Sequence, residues 1–225
     1  MPDKLSELVR NGVLRAAINT GNRALVQQQG GDLRGVSPAL ARRLAAELAA
    51  RLEPVIYDGA GKVFDDAGND LWDIAFLAID QIRAKKVTFS RPYHRIEATY
   101  AVRSSSPIQT PDEADRDGIT VLASKGSAYE LYLTRALRKA KLECSATPGE
   151  SFDVFRAGKG EVVAGIRASL ERAFGGDPDY RVLPGVLTSV EQAMVLPRPN
   201  DPRRAELDAF VARAIDSGFV AREMT

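Results

Sequence analysis

A short turn in the second half of the chain carries residue types that bind small anions. It reads Lys125-Gly126-Ser127 and precedes a helix predicted to run through Tyr129. Glu130 stands three residues after Ser127, the spacing of a capping box, in which each side chain satisfies a backbone amide. The amides at a helix start and the positive end of the helix dipole attract anions, and Lys125 adds a full charge. Because the capping box accounts for Ser127 structurally, the anion-site hypothesis depends on Lys125 and the Gly126 backbone.

The chain offers little for nucleophilic or metal chemistry. It has one histidine, His94, and one cysteine, Cys144. A lone cysteine cannot form an internal disulfide, and these two side chains are too few for a zinc or haem site. No constellation of nucleophile and general base stands out in the sequence. We therefore expect no metal, no cofactor and no catalytic residue, and a protein that is not an enzyme.

The composition disfavours nucleic acid and membrane as partners. Of the 225 residues, 44% are apolar and 27% are charged, as in ordinary globular proteins. The 31 Lys and Arg against 30 Asp and Glu leave a net charge of +1, too small for non-specific nucleic-acid binding. No apolar run reaches membrane-spanning length, and the first residues lack a signal-peptide pattern. We expect a soluble chain without direct membrane insertion, either cytoplasmic or the mature form of an exported protein.

Short β-rich runs alternate with helical patterns along the chain, which predicts an α/β protein with parallel strands. A helix over residues 38–52 is the best marked, because Ser37 suits the N-cap and Pro38 suits the first helical position. Residues 19–35 are predicted to form a polar loop, and a second capping-box spacing begins at Thr110. Strands are predicted at 13–18, 54–57, 72–76, 96–102, 119–123, 142–146, 161–166, 180–183 and 190–196.

The most specific pattern is Arg83 followed six residues later by Phe-Ser-Arg-Pro-Tyr at 89–93. With the segments around it, this pattern resembles the type II periplasmic solute-binding proteins. The nearest resemblance is to the polar amino-acid binding family of bacterial ABC importers, the extracellular solute-binding proteins of family 3. The resemblance covers nearly the whole chain. The other matching segments are Gly12–Ala17, Leu33–Leu44, Trp72–Ile74, Lys125–Ser127 and Gly158–Val163.

The resemblance implies a two-lobe, type II periplasmic-binding-protein-like α/β fold. Each lobe would be a mixed sheet flanked by helices, and two crossover strands would join the lobes. Lobe 1 would comprise residues 1–103 and 193–225, and lobe 2, inserted into it, residues 104–192. The resemblance further implies a small polar ligand in the cleft, hinge closure with Gln192 as a hinge candidate, and the permease of an ABC importer as partner. A periplasmic location and a monomeric state are expected.

The resemblance also assigns ligand-binding roles. Arg83 matches the arginine that holds a ligand carboxylate, a task that suits a planar guanidinium with two parallel donors. Asp80, three residues earlier, either orients Arg83 or faces a ligand amine or hydroxyl. Ala78 stands where relatives often carry Ser or Thr, so backbone amides near Phe76 and Ala78 would have to replace that hydroxyl. The candidate ligand-binding residues are Asn19, Asn22, Phe76, Ala78, Asp80, Arg83, Lys125, Gly126, Ser127 and Arg167.

Two departures from the family pattern bear on the ligand. Asn19 and Asn22 stand where relatives commonly carry an acid and an aromatic, which favours a smaller or more polar ligand unless both are simple turn residues. Ile166 stands where relatives that bind α-amino acids usually carry a carboxylate for the ligand ammonium, and Arg167 follows it. Cations facing the cleft disfavour an ammonium and favour a second negative group. We therefore expect a dicarboxylate or another small anion, with Arg167 alternatively a solvated residue at a helix start.

Two other functions stay open. The same fold occurs in enzymes similar to cyclohexadienyl dehydratase, and Asp80 or Glu161 would then supply the general acid or base. The second alternative is a cytoplasmic ligand-sensing domain, which the missing signal-peptide pattern leaves open. Turnover of the ligand separates an enzyme from a binding protein, and the sequence upstream of Met1 separates an exported protein from a sensor.

Overall fold

The computed structural model describes residues 4–224, and these form two compact units. Unit 1 contains residues 4–20, 25–95 and 191–224, and unit 2 contains residues 21–24 and 96–190. The boundaries predicted from the sequence differ from this division at residues 21–24, 96–103 and 191–192. At 96–103 and 191–192 the reason is that the strands over residues 88–103 and 188–196 run through the boundary without a loop to mark it.

The elements follow one another in the alternation that the sequence predicts. The strands are β1 Val13–Asn19, β2 Gln27–Gln29, β3 Asp32–Arg34, β4 Arg51–Tyr57, β5 Ile74–Ala78, β6 Thr88–Arg103, β7 Thr120–Ser124, β8 Lys141–Ser145, β9 Val162–Ile166, β10 Tyr180–Val182 and β11 Thr188–Leu196. The α-helices are α1 Val36–Glu47, α2 Ala60–Asp65, α3 Ala128–Ala136, α4 Pro148–Arg156, α5 Arg167–Phe174, α6 Arg204–Asp216 and α7 Phe219–Glu223. Short 3-10 helices lie at Lys4–Leu8, Arg83–Lys85 and Pro111–Ala114.

The sheet of unit 1 places β1 between β4 and β5, and β11 on the other side of β5. β1 is parallel to both of its neighbours, whereas β11 is antiparallel to β5. Every residue of β5 is buried, as expected for a central strand covered on both faces. The carboxyl ends of β1 and β5 therefore lie at one edge of this sheet, where Asn19 ends β1 and Ala78 ends β5.

The sheet of unit 2 has the order β6, β9, β7, β8, with β10 paired to β6. β9 is antiparallel to β6 and parallel to β7, and β7 is parallel to β8. Leu122 of β7 is in register with Val163 of β9. Because parallel strands end at the same edge, α3, α4 and α5, which follow β7, β8 and β9, all begin at that edge.

Three local predictions need correction. The predicted loop over 19–35 contains the hairpin β2–β3, whose polar strands show no apolar alternation. The helix predicted over 38–52 is α1, which begins after Gly35. Ser37 is therefore not its N-cap, and the Ser37 hydroxyl instead forms a hydrogen bond with Tyr93 Oη at 3.1 Å. Gly35 has φ 96°, and a Cβ there would lie 2.5 Å from the Leu25 carbonyl oxygen. Thr110 provides no side-chain cap, although Glu113 accepts a hydrogen bond from the Gln109 amide at 3.0 Å.

Within residues 4–224, none of the helices has both the length and the apolar character that crossing a bilayer requires.

Candidate ligand-binding site

Arg83 lies in the 3-10 turn that follows β5 and is almost completely buried, with 1% of its surface exposed. Its Nη1 donates a hydrogen bond to the Ala78 carbonyl oxygen at 2.9 Å. A buried guanidinium is costly unless its donors find acceptors, so this contact fixes both its position and its orientation. The predicted arginine is thus held at the carboxyl end of β5, the edge at which ligands of such sheets bind.

Asp80 organises the backbone of the same turn. Its Oδ1 accepts hydrogen bonds from the Ile82 amide at 2.7 Å and from the Arg83 amide at 3.3 Å. A carboxylate that accepts backbone N–H groups in this way acts as the cap of the turn. Of the two predicted roles for Asp80, these contacts correspond to the one in which it positions Arg83.

Phe76 and Ala78 lie within the buried strand β5 itself. Phe76 packs edge-on against Tyr93, with 6.2 Å between ring centroids, so its side chain belongs to the core. Ala78 is in register with Gln192 of β11 and supplies the carbonyl that Arg83 uses. Ala78 has no side-chain hydroxyl, but its backbone carbonyl oxygen anchors Arg83.

The two asparagines fall in different units. Asn19 ends β1 opposite Tyr57 of β4 and belongs to unit 1. Asn22 belongs to unit 2, and its buried Oδ1 has no hydrogen-bond partner within residues 4–224. A buried amide oxygen without a donor costs free energy comparable to a lost hydrogen bond. Asn22 thus has an acceptor that a ligand donor could satisfy.

The predicted turn before α3 is closed by its own side chains. Ser127 Oγ accepts a hydrogen bond from the Glu130 amide at 3.1 Å, which confirms the capping box. Glu130 Oε2 accepts the Gly126 amide at 3.0 Å. Burial raises the pKa of the neighbouring Tyr129 to about 12, so that phenol is neutral at physiological pH. Lys125 is exposed beside this turn, and its role as an anion-binding cation stays a prediction.

Arg167, at the start of α5, is bound within unit 2. Its Nε donates to Glu97 at 3.2 Å and its Nη1 to the Leu183 carbonyl oxygen at 3.2 Å. Its Nη2 donates to the Gly185 carbonyl oxygen. These three contacts hold the segment after β10 against α5. They assign Arg167 a structural task, and of the predicted ligand-binding residues it has the weakest geometric support.

The start of α5 contains a residue that sequence reasoning missed. Ile166 occupies the N-cap position, and its aliphatic side chain has no atom that can accept a hydrogen bond. Ser169, in the first turn, is 5% exposed, and its Oγ has no hydrogen-bond partner among the described residues. The β7–β9 register puts this helix start beside that of α3. The sequence signal that could have indicated Ser169 was an apolar residue at a predicted helix start, Ile166, with a serine three residues later.

Comparison with known proteins places the chain in a family. The family model described as bacterial extracellular solute-binding proteins, family 3, matches residues 14–223. The chain belongs to this family. It is therefore a solute-binding protein of a family described as extracellular, and the predicted membership is confirmed.

Solved structures of low identity share the fold. An arginine-binding protein mutant from T. maritima is 19% identical with a TM-score of 0.84, covering 98% of this chain and 96% of that one. A cysteine-binding protein from Campylobacter jejuni is 20% identical with a TM-score of 0.84, covering 98% and 91%. The ancestral amino-acid-binding protein AncCDT-1, described as a precursor of cyclohexadienyl dehydratase, is 20% identical with a TM-score of 0.81, covering 97% and 96%. The predicted type II periplasmic-binding-protein fold is confirmed.

A curated relative matches over a shorter range. The glutamine-binding protein of Geobacillus stearothermophilus is 28% identical over 110 residues, 49% of this chain and 42% of that protein. The match thus spans less than half the length of that relative.

Proposed function

We propose that this chain is the solute-binding component of an ABC importer and that its ligand is a dicarboxylate or similar small anion rather than an α-amino acid. Family membership and the amino-acid-binding proteins among its structural relatives support the transport role. The permease of the importer is the proposed protein partner, and the proposed location is the periplasm. The choice of ligand class rests on the chemistry of each unit, taken separately.

Unit 1 offers a receptor for one carboxylate. Arg83 presents a planar guanidinium at the carboxyl end of β5, and its position is set by the Ala78 carbonyl and by the turn that Asp80 caps. Guanidinium and carboxylate match in shape and form short, charge-assisted hydrogen bonds. The buried setting strengthens this interaction relative to water, because fewer water molecules screen it. A monocarboxylate, an amino acid and a dicarboxylate would all satisfy this half of the site.

Unit 2 distinguishes among these ligands, and the start of α5 carries the proposal. An α-amino acid needs an acceptor for its ammonium, and at the start of α5 Ile166 provides none. Ser169 offers a buried hydroxyl there, and elsewhere in unit 2 the Asn22 amide oxygen offers a neutral acceptor rather than a carboxylate. The first-turn amides of α5, which no acidic N-cap covers, and the charge of Lys125 attract a negative group. This edge of unit 2 is therefore suited to a second carboxylate of the ligand.

The nearby acids of unit 2 are engaged in other contacts, which supports the same conclusion. Glu97 pairs with Arg167 at 3.2 Å. Glu130 accepts the Gly126 amide through Oε2 and the Thr134 hydroxyl through Oε1 at 2.8 Å. A carboxylate that already accepts two hydrogen bonds gains less from an ammonium than a free one does.

The enzyme alternative has little geometric support. The two carboxylates considered as general acid or base both accept backbone amides: Asp80 from Ile82 and Arg83, and Glu161 from Thr120 at 2.6 Å. Both therefore have structural roles. AncCDT-1 is described both as an amino-acid-binding protein and as a precursor of cyclohexadienyl dehydratase, so turnover of the ligand remains the deciding measurement.

The experiment is thermal unfolding of the purified chain with a panel of dicarboxylates, hydroxy acids, inorganic anions and amino acids, followed by calorimetry. A ligand at 100 times its Kd stabilises the folded state by about 2.7 kcal/mol, so binding raises the unfolding midpoint. We expect the largest rise with a dicarboxylate, and the loss of that rise in Arg83→Met. Arg51→Met is the matched control, since Arg51 is exposed and pairs only with Glu53 among residues 4–224. Tighter binding of an α-amino acid would overturn the proposed ligand class, and conversion of the ligand would overturn the binding role.

A further inference from the structure

A cavity of about 150 Å³ lies within unit 1, away from the edge that carries Arg83. Trp72 and Asp73, which line it, immediately precede β5, whereas Arg83 follows that strand. The cavity thus lies at the amino-terminal edge of the sheet. Its charged and polar lining includes Glu7, Arg10, Trp72, Asp73, Arg198 and Arg203.

Two buried acids near this cavity, Asp73 and Asp201, and the exposed Asp70 in its lining already have cationic partners. Asp73, 3% exposed, accepts hydrogen bonds from Arg15 through its amide at 2.8 Å, its Nε at 3.1 Å and its Nη2 at 2.8 Å. Asp201 accepts from Arg203 through Nε at 2.8 Å and Nη2 at 2.6 Å. Hydrogen bonds from Arg10 and Arg15 hold the pKa of Asp70 below its ordinary value. These carboxylates therefore have little acceptor capacity left for a bound cation.

Donors, in contrast, remain available at the cavity. Trp72 is 1% exposed, and its buried Nε1 has no hydrogen-bond partner within residues 4–224. Arg198 is exposed, and within the same range its side chain makes neither an ion pair nor a hydrogen bond. An indole N–H and a guanidinium can only donate. The chemistry missing from the cavity is thus that of an acceptor.

We propose that this cavity, which we name the Trp72 cavity, binds a small oxyanion, a carboxylate or phosphate group, between the Trp72 N–H and the Arg198 guanidinium. The volume suits a small molecule better than a single water. Glu7 and Asp70 are exposed carboxylates in the lining and weaken anion binding through repulsion, although Arg10 and Arg15 offset the charge of Asp70. The site is independent of the ligand proposed for Arg83.

The test uses Trp72 as its own probe, because it is the only tryptophan of the chain. Phosphate and acetate are titrated separately at constant ionic strength, with chloride as the blank, while the intrinsic fluorescence is recorded. We expect a saturable change in emission with at least one of the two anions, and the one that binds tighter identifies the oxyanion class. Arg198→Gln should weaken binding about tenfold, since a charge-assisted hydrogen bond is lost. Glu7→Gln should strengthen it about threefold, since a repelling charge is removed.

Three results would contradict the proposal for the Trp72 cavity. The first is a fluorescence change that fails to saturate or that Arg198→Gln leaves unaltered, which would indicate a general salt effect. The second is a change that disappears in Arg83→Met, which would mean that the anion acts through the other site. Weakened binding in Glu7→Gln would also overturn the proposal, because a zwitterion using Glu7 for its ammonium would then be the ligand. Arg198 and Glu7 are both exposed, so neither substitution should disturb the fold.

Discussion

Two helices of unit 2, α3 and α5, begin side by side but differ in how their N-termini are capped. α3 follows β7 and α5 follows β9, and these strands are parallel neighbours with Leu122 opposite Val163. At α3, Ser127 caps the Glu130 amide and Glu130 caps the Gly126 amide. At α5 the N-cap is Ile166, which cannot accept a hydrogen bond. The start of α3 is thus capped by side chains, whereas the start of α5 has no side-chain cap.

The difference means that α5 lacks a stabilising contribution that α3 has. A favourable N-cap contributes about 1 kcal/mol, and the chain uses one at α4 as well, where Thr147 caps the Glu150 amide at 3.1 Å. At α5 that contribution is absent, as it is at α1, α2, α6 and α7, and α5 also carries Ser169, whose first-turn hydroxyl is buried without a partner within residues 4–224. Local rules that a protein breaks without visible compensation tend to lie at functional sites. This is the reason for proposing the start of α5 as a ligand contact.

The largest effect is expected from a substitution that gives α5 a side-chain N-cap. In Ile166→Asp the new carboxylate should cap the first-turn amides and repel a ligand carboxylate. We expect the affinity for a dicarboxylate to fall about 100-fold, or about 2.7 kcal/mol, because two like charges then lie close together. The free energy of unfolding without ligand should rise by about 1 kcal/mol through the new cap. Calorimetry and chemical denaturation measure the two quantities separately.

Ile166→Asn is the matched control for that substitution, because it caps without a charge. It should raise the stability similarly but reduce the anion affinity far less than Ile166→Asp. An unchanged dicarboxylate affinity in the aspartate variant would show that the start of α5 does not contact the ligand. A gain of amino-acid binding in that variant would strengthen the ligand assignment.

A smaller effect is expected from removing the side-chain N-cap of α3. Ser127→Ala removes the cap of α3 and should lower the free energy of unfolding by about 1 kcal/mol. We also expect the ligand affinity to fall about fivefold, since the Glu130 amide loses its acceptor and the first turn of α3 rearranges beside the site. Thr147→Ala at α4 is the matched control: an equal loss of stability with no change in affinity. Equal affinity losses in both variants would indicate a general effect of destabilisation instead.

Much of the strand framework could be predicted from the sequence. β5 and β9 are continuous apolar runs, and such runs are typical of strands covered on both faces. The start of β5 was predicted two residues early, at Trp72, because both Trp72 and Asp73 are buried although neither belongs to the strand. The hairpin β2–β3 was missed because neither strand has an apolar side that would reveal its period.

The candidate site was only partly predictable. The family pattern led to Arg83, and the capping-box spacing led to Ser127, because both signals are short spacings along the chain. The spacing from Thr147 to Glu150 carries the same signal and was overlooked. Ser169 could not be identified from the sequence, since the lack of a partner for its hydroxyl depends on what packs around α5. The engagement of Arg167 by Glu97 likewise depends on the pairing of β6 with β9.

A finer test within α5 concerns the buried hydroxyl of Ser169. Ser169→Ala should weaken dicarboxylate binding about threefold, because one neutral hydrogen bond to the ligand is lost. The stability of the free protein should stay the same or rise, since the substitution removes a buried polar atom that has no partner within residues 4–224. Calorimetry and denaturation test both parts. A loss of stability without any change in affinity would mean that the hydroxyl serves the fold.

The smallest expected effect on the ligand concerns Arg167, which lies beside Ser169 at the start of α5. Its guanidinium is bound to Glu97 and to the Leu183 and Gly185 carbonyl oxygens, so Arg167→Gln should leave the dicarboxylate affinity within about twofold. The free energy of unfolding should fall by less than about 1 kcal/mol, because the ion pair with Glu97 is partly exposed. Glu97→Gln should reproduce that small loss. A tenfold drop in affinity for Arg167→Gln alone would return this arginine to the ligand and leave Glu97 as the group that orients it.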